Sequence, residues 1–550
     1  MKLPFAPSYD ALCRDFSWDI PARFNIGTLI SDDWAEIEPQ RICLQHFDPG
    51  GDHLALTYGE LSARSNALAH ALSGLGIAAG DRVALLLPQG FETVIWHAAI
   101  YKMGAIALPL ALLFGAEALE YRLKMSDATA IVTNGFGLER LADIRDRLPE
   151  LRHVIVADER MVGPGILSME ALIAENPAHF EAVATGPDDP ALMIFTSGTT
   201  GPPKAALHGH RVLAGHLPGF QIGHDFAPQD DDRIWTPADW AWAGGLLNVV
   251  LPSLMLGIPV VSSPAQKFDP DMAVRIMAEM GVRNAFIPPT ALRLMRSAKG
   301  IDTRLRALGL RTITSAGEAL GRETYDWAAK AFGVTVNELY GQTECNFVLA
   351  SSASLGISRS GATGLPVPGH RVGIVDDTGR ELSAGQIGQI AIHRPDPVMF
   401  LGYFRDEAAT EAKFAGDWLL TGDLGRCDGQ GYFEFLGRDD DIITSSGYRI
   451  GPSEVEDCLN GHPAVRMAGV VGKPDPVRTE IVKAYVVLAD GYAAGEALAM
   501  EIREWVKSRL SMHEYPREVA FVEEIPMTTS GKLIRRVLRD KAIAEAAVEG

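Results

Sequence analysis

Cysteine is scarce: Cys13, Cys43, Cys345, Cys427 and Cys458 are the five in 550 residues. None forms a Cys-x-x-Cys pair, so neither a disulfide framework nor a zinc site is expected. Sparse thiols of this kind suggest a reducing compartment, the cytoplasm. Basic charge is also in deficit, with 50 Lys+Arg against 70 Asp+Glu and a formal net charge of -20. That excludes a nonspecific nucleic-acid binder, which needs a basic surface. It leaves room for a local basic pocket around a phosphorylated ligand. The opening "MKLPFAPSYDALCRDFSW" lacks the apolar core of a signal peptide. Internal repeats and low-complexity tracts are missing too.

Uncharged runs are few, and the longest is Trp240 to Gln266, "WAWAGGLLNVVLPSLMLGIPVVSSPAQ". Its length would span a bilayer. It also holds three prolines, three glycines and four Ser or Asn residues. A buried helix leading into a buried strand, broken near Gly257-Ile258-Pro259, is the better reading. No integral membrane contact is expected.

Apolar residues make up 47% of the chain, enough for large cores, and 550 residues imply several domains. Apolar runs alternate with amphipathic stretches, the mark of an α/β architecture. Thr57 and Glu60 form a capping-box pattern. Leu61, Leu68, Ala71, Leu72 and Leu75 continue it at helical spacing. "DRVALLLP", "ATAIVTN", "HVIVAD" and "ALMIFTSG" read as strands. After Val367 short β runs alternate with Gly and Asp turns, so a β-rich module is expected there. A boundary near Asp440 precedes a small α+β unit with its own strands, "KAYVVLA" and "EVAFVEEIP". The expected division is a large α/β part over 1–438, of layered subdomains plus the β-rich module, and a small mobile α+β part over 439–550.

"TSGTTGPPK" (Thr196 to Lys204) has the chemistry of an anion-binding loop. Glycines admit close backbone approach, successive N–H groups form a nest, and Lys204 adds a mobile charge. It is not the common P-loop, because Pro203 precedes the lysine and Ala205 follows it. Taken alone, it reads equally well as a surface turn between strand and helix.

Four further segments follow in order: "YGQTE" (Tyr340 to Glu344), "TGD" (Thr421 to Asp423), "GRDDDIITSSGYRIGPSEVE" (Gly437 to Glu456) and "TTSGKLIRR" (Thr528 to Arg536). Their order and spacing resemble the AMP-forming acyl-CoA synthetase/adenylation-enzyme superfamily across nearly the whole chain. "FNIGTLISDDWA" and "YGQTE" look most like medium-chain acyl-CoA synthetases. The resemblance implies a two-step reaction: a carboxylate attacks ATP to give acyl-adenylate and pyrophosphate, then the CoA thiol displaces AMP.

The resemblance also implies roles for residues. Thr196, Ser197, Gly198, Thr199, Thr200, Gly201 and Lys204 would hold the phosphates that leave. Glu344 would bind Mg²⁺, a hard cation suited to oxygen ligands. Thr343 would hydrogen-bond the α-phosphate. Gly317, Glu318 and Ala319 would line the adenine, beside Tyr340, Gly341 and Gln342. Asp423 would accept from the ribose hydroxyls, with Arg438 assisting. Lys532 would be the catalytic lysine of adenylation. Asp440 would be the hinge about which the smaller domain turns. Gly447 would then let pantetheine pass close to backbone, with Arg449 stabilising one arrangement and Lys507 meeting a CoA phosphate. Blander readings stand beside these: a helix-end acid for Glu344, a β-turn Asp for Asp423, and a solvated linker for Asp439 to Asp441. The exposed Gly-Lys turn at Lys532 would suit a lysine acetyltransferase and deacetylase, although Met527 breaks the family's usual Pro-Lys-Thr there.

For the acid, "ADWAWAGG" matches the family's acyl-pocket helix, with Trp242, Ala243 and Gly244 as one wall. Acetate-specific members close this pocket with a Trp where this chain has Gly341. Loss of an indole would open a large volume, favouring a longer aliphatic or an aromatic acid unless Trp240 or Phe347 refills it. Cys345 and Asn346 replace the Thr-Gly common after the glutamate motif. Three alternatives remain: a non-CoA acyl acceptor, a short-chain acid, and a silent ligand-binding homologue.

Overall fold

Residues 3, 5–158, 161–196, 202–264, 268–445, 448–476, 478–510, 514–528 and 532–549 are described by this computed structural model. The capping box forms as the sequence predicts. Thr57 Oγ1 accepts from Glu60 N at 3.2 Å and Glu60 Oε2 accepts from Thr57 N at 2.8 Å, opening the helix Tyr58–Gly74. Leu61, Leu68 and Leu72 are fully buried, as their shared helical face requires. That helix packs on Phe91–Lys102. At its C-terminal end Lys102 is wholly buried, with Nζ 2.7 Å from Asp32 Oδ1, 2.9 Å from Ser65 Oγ and 2.7 Å from Asn66 Oδ1. An enclosed ammonium needs such partners.

Among the described residues, two large sheets form the α/β body. The first has eight strands, running from Gly402–Tyr403 through Lys204–Gly209, Pro190–Thr196, Ile106–Pro109, Arg82–Leu86, Ala130–Thr133 and His153–Val156 to Ile166–Ser168. Its centre is parallel and buried on both faces, which suits the unbroken apolar runs. The second has nine strands. It places Val260–Ser262 beside Ile42–His46 and Ile234–Trp235, and it ends in the antiparallel pair Val336–Gln342 and Cys345–Ala350 followed by Leu365–Pro366. The uncharged run therefore does lead through helix into a buried strand. Gly257 makes the break with φ +72, and a Cβ there would lie 2.4 Å from Trp34 Cζ2. No helix among the described residues is long and apolar enough to cross a membrane.

The β-rich module is a five-stranded antiparallel sheet of Val372–Val375, Ile387–His393, Phe414–Ala415, Trp418–Cys427 and Phe433–Arg438. The smaller α+β part has its own sheet, centred on the pair Val465–Asp475 and Thr479–Leu488. Helices Pro452–Asn460, Glu496–Arg509 and Arg535–Glu549 flank it, and Val470, Val486, Ile502 and Val506 lie in its core. The acidic run is more than a solvated linker. Asp441 accepts from Arg535 at 3.4 Å and Arg539 at 2.6 Å, and Arg539 also reaches Asp440 O at 2.8 Å. The turn Asp439–Asp441 thus clasps the last helix.

Candidate active site

The loop that opens at Thr196 does not lead into a helix. The chain returns as a strand: Thr196 pairs with Lys204 across the antiparallel strands Pro190–Thr196 and Lys204–Gly209. Ser197, Gly198, Thr199, Thr200 and Gly201 lie outside the described residues. Lys204 begins the second of these strands, with Nζ 5.2 Å from the Tyr403 ring centre.

Glu344 is no helix-end acid. It sits in the tight connection between Val336–Gln342 and Cys345–Ala350 and is 6% exposed. Phe400 N donates to its carbonyl at 2.9 Å, drawing the chain of Tyr403 alongside. Tyr403 then donates its hydroxyl to Glu344 Oε1. Oε2 has no protein partner among the described residues. Thr343, its neighbour, is half-buried, with the buried ring of His208 behind its backbone. Burial pushes that imidazole down to about 3, so it is neutral at physiological pH.

Asp423 is not in a β-turn. It lies within the strand Trp418–Cys427 just after Gly422, whose φ is +77. The Tyr340 hydroxyl donates to Asp423 Oδ2 at 2.7 Å. Register sets Arg438 directly opposite, with Nε 3.8 Å from Asp423 Oδ1 and 3.4 Å from Asp440 Oδ1. Burial raises the Asp423 carboxyl, opposed by Arg438, the Tyr340 hydroxyl, Lys413 and Lys532. Gln342 donates to Thr421 O at 3.0 Å and accepts from Lys413 Nζ at 3.1 Å. Two strands 83 residues apart are thereby laced into one wall.

Gly317 follows the strand Thr312–Ser315 with φ +99. The Glu318 carboxylate is occupied, accepting from Thr290 at 2.8 Å and Arg293 at 3.1 Å, while Arg293 also donates to Ala319 O at 2.6 Å. Lys532 arrives from the smaller domain. A Cβ on Gly317 would lie 3.6 Å from Lys532 Cε and 4.0 Å from Nζ. Thr528 holds its backbone, donating N–H to Lys532 O at 2.6 Å and accepting Lys532 N–H at 2.9 Å through its hydroxyl. Thr343, Glu344, Asp423, Arg438, Gly317 and Lys532 are therefore gathered around one region.

Other expectations fare differently. Gly447 and the side chain of Arg449 lie outside the described residues. Lys507 is on Glu496–Arg509, 2.8 Å from Glu504 and 5.7 Å from the Tyr515 ring, and contacts none of the gathered groups among the described residues. The volume inferred at Gly341 needs correction. A Cβ there would meet Phe347 N at 2.6 Å, Asn346 Cα at 2.7 Å and Cys345 O at 2.8 Å. The facing backbone fills the space next to Gly341, so glycine there does not open an indole-sized void. Trp240 is 1% exposed in the main core, whereas Trp242 is half-buried with its ring 5.8 Å from Phe114. The helix beyond it, Ala243–Gly245, passes into a π-helical turn at Leu246–Val250.

Residues 31–404 match the family AMP-binding enzyme, and residues 454–532 match the AMP-binding enzyme C-terminal domain. The chain is 34% identical over 539 residues to the human mitochondrial acyl-coenzyme A synthetase ACSM2B, covering 95% of this chain and 92% of that protein. It is 33% identical over 547 residues to the acetyl-coenzyme A synthetase of Bacillus subtilis (strain 168), covering 97% and 94%. The crystal structure of the anthranilate CoA ligase AuaEII in complex with anthranoyl-AMP superposes with a TM-score of 0.88 at 28% identity, covering 96% of this chain and 99% of that one. Fold and site define an adenylate-forming ligase. The chain belongs to the AMP-binding enzyme family, and within it is an AMP-forming acyl-CoA ligase.

Proposed function

We propose that this enzyme activates a medium-chain aliphatic or a ring-bearing carboxylic acid with ATP and passes the acyl group to CoA. The observation that carries the reading is Lys532, on the smaller domain, set against Gly317 beside the Asp423, Arg438 and Glu344 wall. In the first step the acid's carboxylate oxygen attacks the α-phosphorus and pyrophosphate leaves. The Lys532 ammonium bridges the carboxylate and α-phosphate as charge moves between them. Thr343 donates to the same phosphate. The loop from Thr196 to Lys204 holds the departing phosphates. Asp423, a buried carboxylate, accepts from vicinal ribose hydroxyls, a role that offsets its cost of burial. Glu344 fits a magnesium ion, since Tyr403 occupies one carboxylate oxygen and the other has no protein partner among the described residues. Such an ion would neutralise charge on the phosphates.

In the second step the smaller domain turns about Asp440, withdrawing Lys532. Gly447 and Arg449 then face the CoA path, and the thiol attacks the acyl carbonyl, releasing AMP. Lys507 is a remote aid to a CoA phosphate. Lys532 is exposed and accessible to an acetyltransferase, which would silence adenylation by removing its charge. Intact mass and activity after acetyltransferase treatment test this; no acetylation at Lys532 would sink it.

The names of the relatives span acyl-coenzyme A, acetyl-coenzyme A and anthranilate CoA ligases, and the last of these supports a ring-bearing acid. A short-chain acid is the second reading, favoured by the filled space at Gly341. The test is pyrophosphate and CoA thioester measured in parallel over acetate, octanoate, benzoate and cyclohexanecarboxylate. A maximum at acetate refutes the longer or ring-bearing acid. Pyrophosphate without CoA dependence of AMP release refutes the CoA step.

A further inference from the structure

Two asparagine amides are buried together beside the acyl-pocket helix: Asn248, 3% exposed, and Asn346, 6% exposed. Their orientation is set by chemistry. Phe347 N–H donates to Asn346 Oδ1 at 3.1 Å, and only the amide oxygen can accept it. The Asn346 nitrogen therefore faces away, and it donates to Asn248 Oδ1. The chain of orientation ends at Asn248 Nδ2. That NH₂ group has no acceptor among the described residues.

The pair lies between two residues of the acyl pocket. Asn248 is four positions beyond Gly244, so in a helix widened to a π turn it shares Gly244's face, one turn deeper. Gly244 looks across at Phe286, whose Cε1 is 3.5 Å from where a Cβ would sit. Asn346 Cα is 2.7 Å from the corresponding point on Gly341. The polar pair therefore stands where a pocket for a hydrocarbon tail would carry apolar bulk. Phe347, which supplies the anchoring N–H, is buried with φ +59, a strained geometry for a side-chain-bearing residue. Strain of this kind and π turns both concentrate at ligand sites.

We infer that the acyl pocket reads a hydrogen-bond acceptor oxygen on the acid, a hydroxyl, oxo or ether group remote from the reacting carboxylate, through Asn248 Nδ2. The inference rests on the ligase reading of this site. A second carboxylate fits less well, because a neutral amide gives it no countercharge. An acid that brings the acceptor gains a hydrogen bond its parent cannot make, worth about 10-fold in discrimination.

The experiment compares kcat/KM for pyrophosphate release within matched pairs. The pairs are hexanoate with its oxo and hydroxy derivatives, benzoate with the three hydroxybenzoates, and cyclohexanecarboxylate with its hydroxy derivatives. At least one oxygenated acid should exceed its parent by about 10-fold or more. Asn248→Leu should lower that ratio by about 10-fold, through the oxygenated acid's KM and kcat, while KM for ATP stays put. Asn346→Gly, which releases the orienting bond, should lower it less. Asn248→Ala, with thermal unfolding as a folding check, replaces the leucine variant if the latter does not fold. A preference for the parent acid in every pair, or a ratio indifferent to Asn248, overturns the inference with the ligase reading intact. No pyrophosphate from any acid overturns the ligase reading and the inference with it.

Discussion

Gly321 gives the sharpest handle on domain docking. It is the N-cap of the helix Arg322–Phe332 and offers no side chain to satisfy that helix's first N–H groups. Asp457, from helix Pro452–Asn460 of the smaller domain, does so instead, accepting Arg322 N–H at 2.9 Å. A Cβ on Gly321 would fall 2.0 Å from Asp457 Oδ1 and 2.6 Å from Cγ. Gly321 also has φ +79, where alanine costs about 1 kcal/mol. Losing a carboxylate cap at a helix N-terminus costs about 1–2 kcal/mol more. The strain is present in either arrangement and counts against folding, whereas the lost cap and the overlap with Asp457 count against the arrangement that puts Lys532 at Gly317. Asp457→Ala loses the cap alone, about 1–2 kcal/mol, and Gly321→Ala adds the overlap to it. With 1.4 kcal/mol per factor of ten, and arrangements of comparable population, adenylation should slow about 3- to 15-fold in Asp457→Ala and by more in Gly321→Ala. Both variants lose the same cap, so the double variant should fall short of the product. The assay is single-turnover pyrophosphate release, set against CoA-dependent consumption of supplied acyl-adenylate. Equal loss in both half-reactions, or full additivity, would refute the docking role of Asp457.

Lys532→Ala should lower adenylation by about 10²–10³-fold and retain thioester formation from supplied acyl-adenylate; equal loss of both steps would contradict the division of labour. Burial and the nearby Asp457 charge push Glu338 up to about 8 from its ordinary 4.5. The folded, docked protein then holds a proton that the unfolded chain releases, so stability should fall as pH rises across the window from 4.5 to about 8. Glu338→Gln should flatten that slope in urea unfolding, and an unchanged slope would locate it elsewhere. Asp32→Ala leaves the Lys102 ammonium buried without its anion and should cost about 3–5 kcal/mol of unfolding free energy, whereas a loss under about 1 kcal/mol would mean that Ser65 and Asn66 suffice.

Much of the architecture was legible because it is local. The capping box at Thr57 and Glu60, the apolar runs of the central strands and the break at Gly257 are all written in neighbouring residues. The wall of the site was not. Tyr403 meets Glu344 across 59 residues and Asp457 meets Arg322 across 135, and no periodicity records such a pairing. Lys413 and Arg293 escaped for the same reason, since each bonds to groups far along the chain. Gly341 shows a different limit. A missing side chain implies space only if the backbone opposite stays away, and the positive φ of Phe347 brings it close. Position 347 carries a large aromatic, so the turn that fills the gap left no glycine to announce it.

The loop from Thr196 to Lys204 has a consequence for turnover. A loop feeding a helix places a permanent dipole behind bound phosphate, and nothing in the chemistry can switch that attraction off. Here two antiparallel strands stand behind the loop, and strand dipoles largely cancel. If the loop grips phosphates as proposed, no standing strand dipole helps it, and the one described cation there, Lys204, sits on a rotatable stem. An ATPase with a product it must retain between strokes gains from a standing field. A ligase that discards pyrophosphate before its second substrate reacts gains from a grip that loosens when a side chain swings aside.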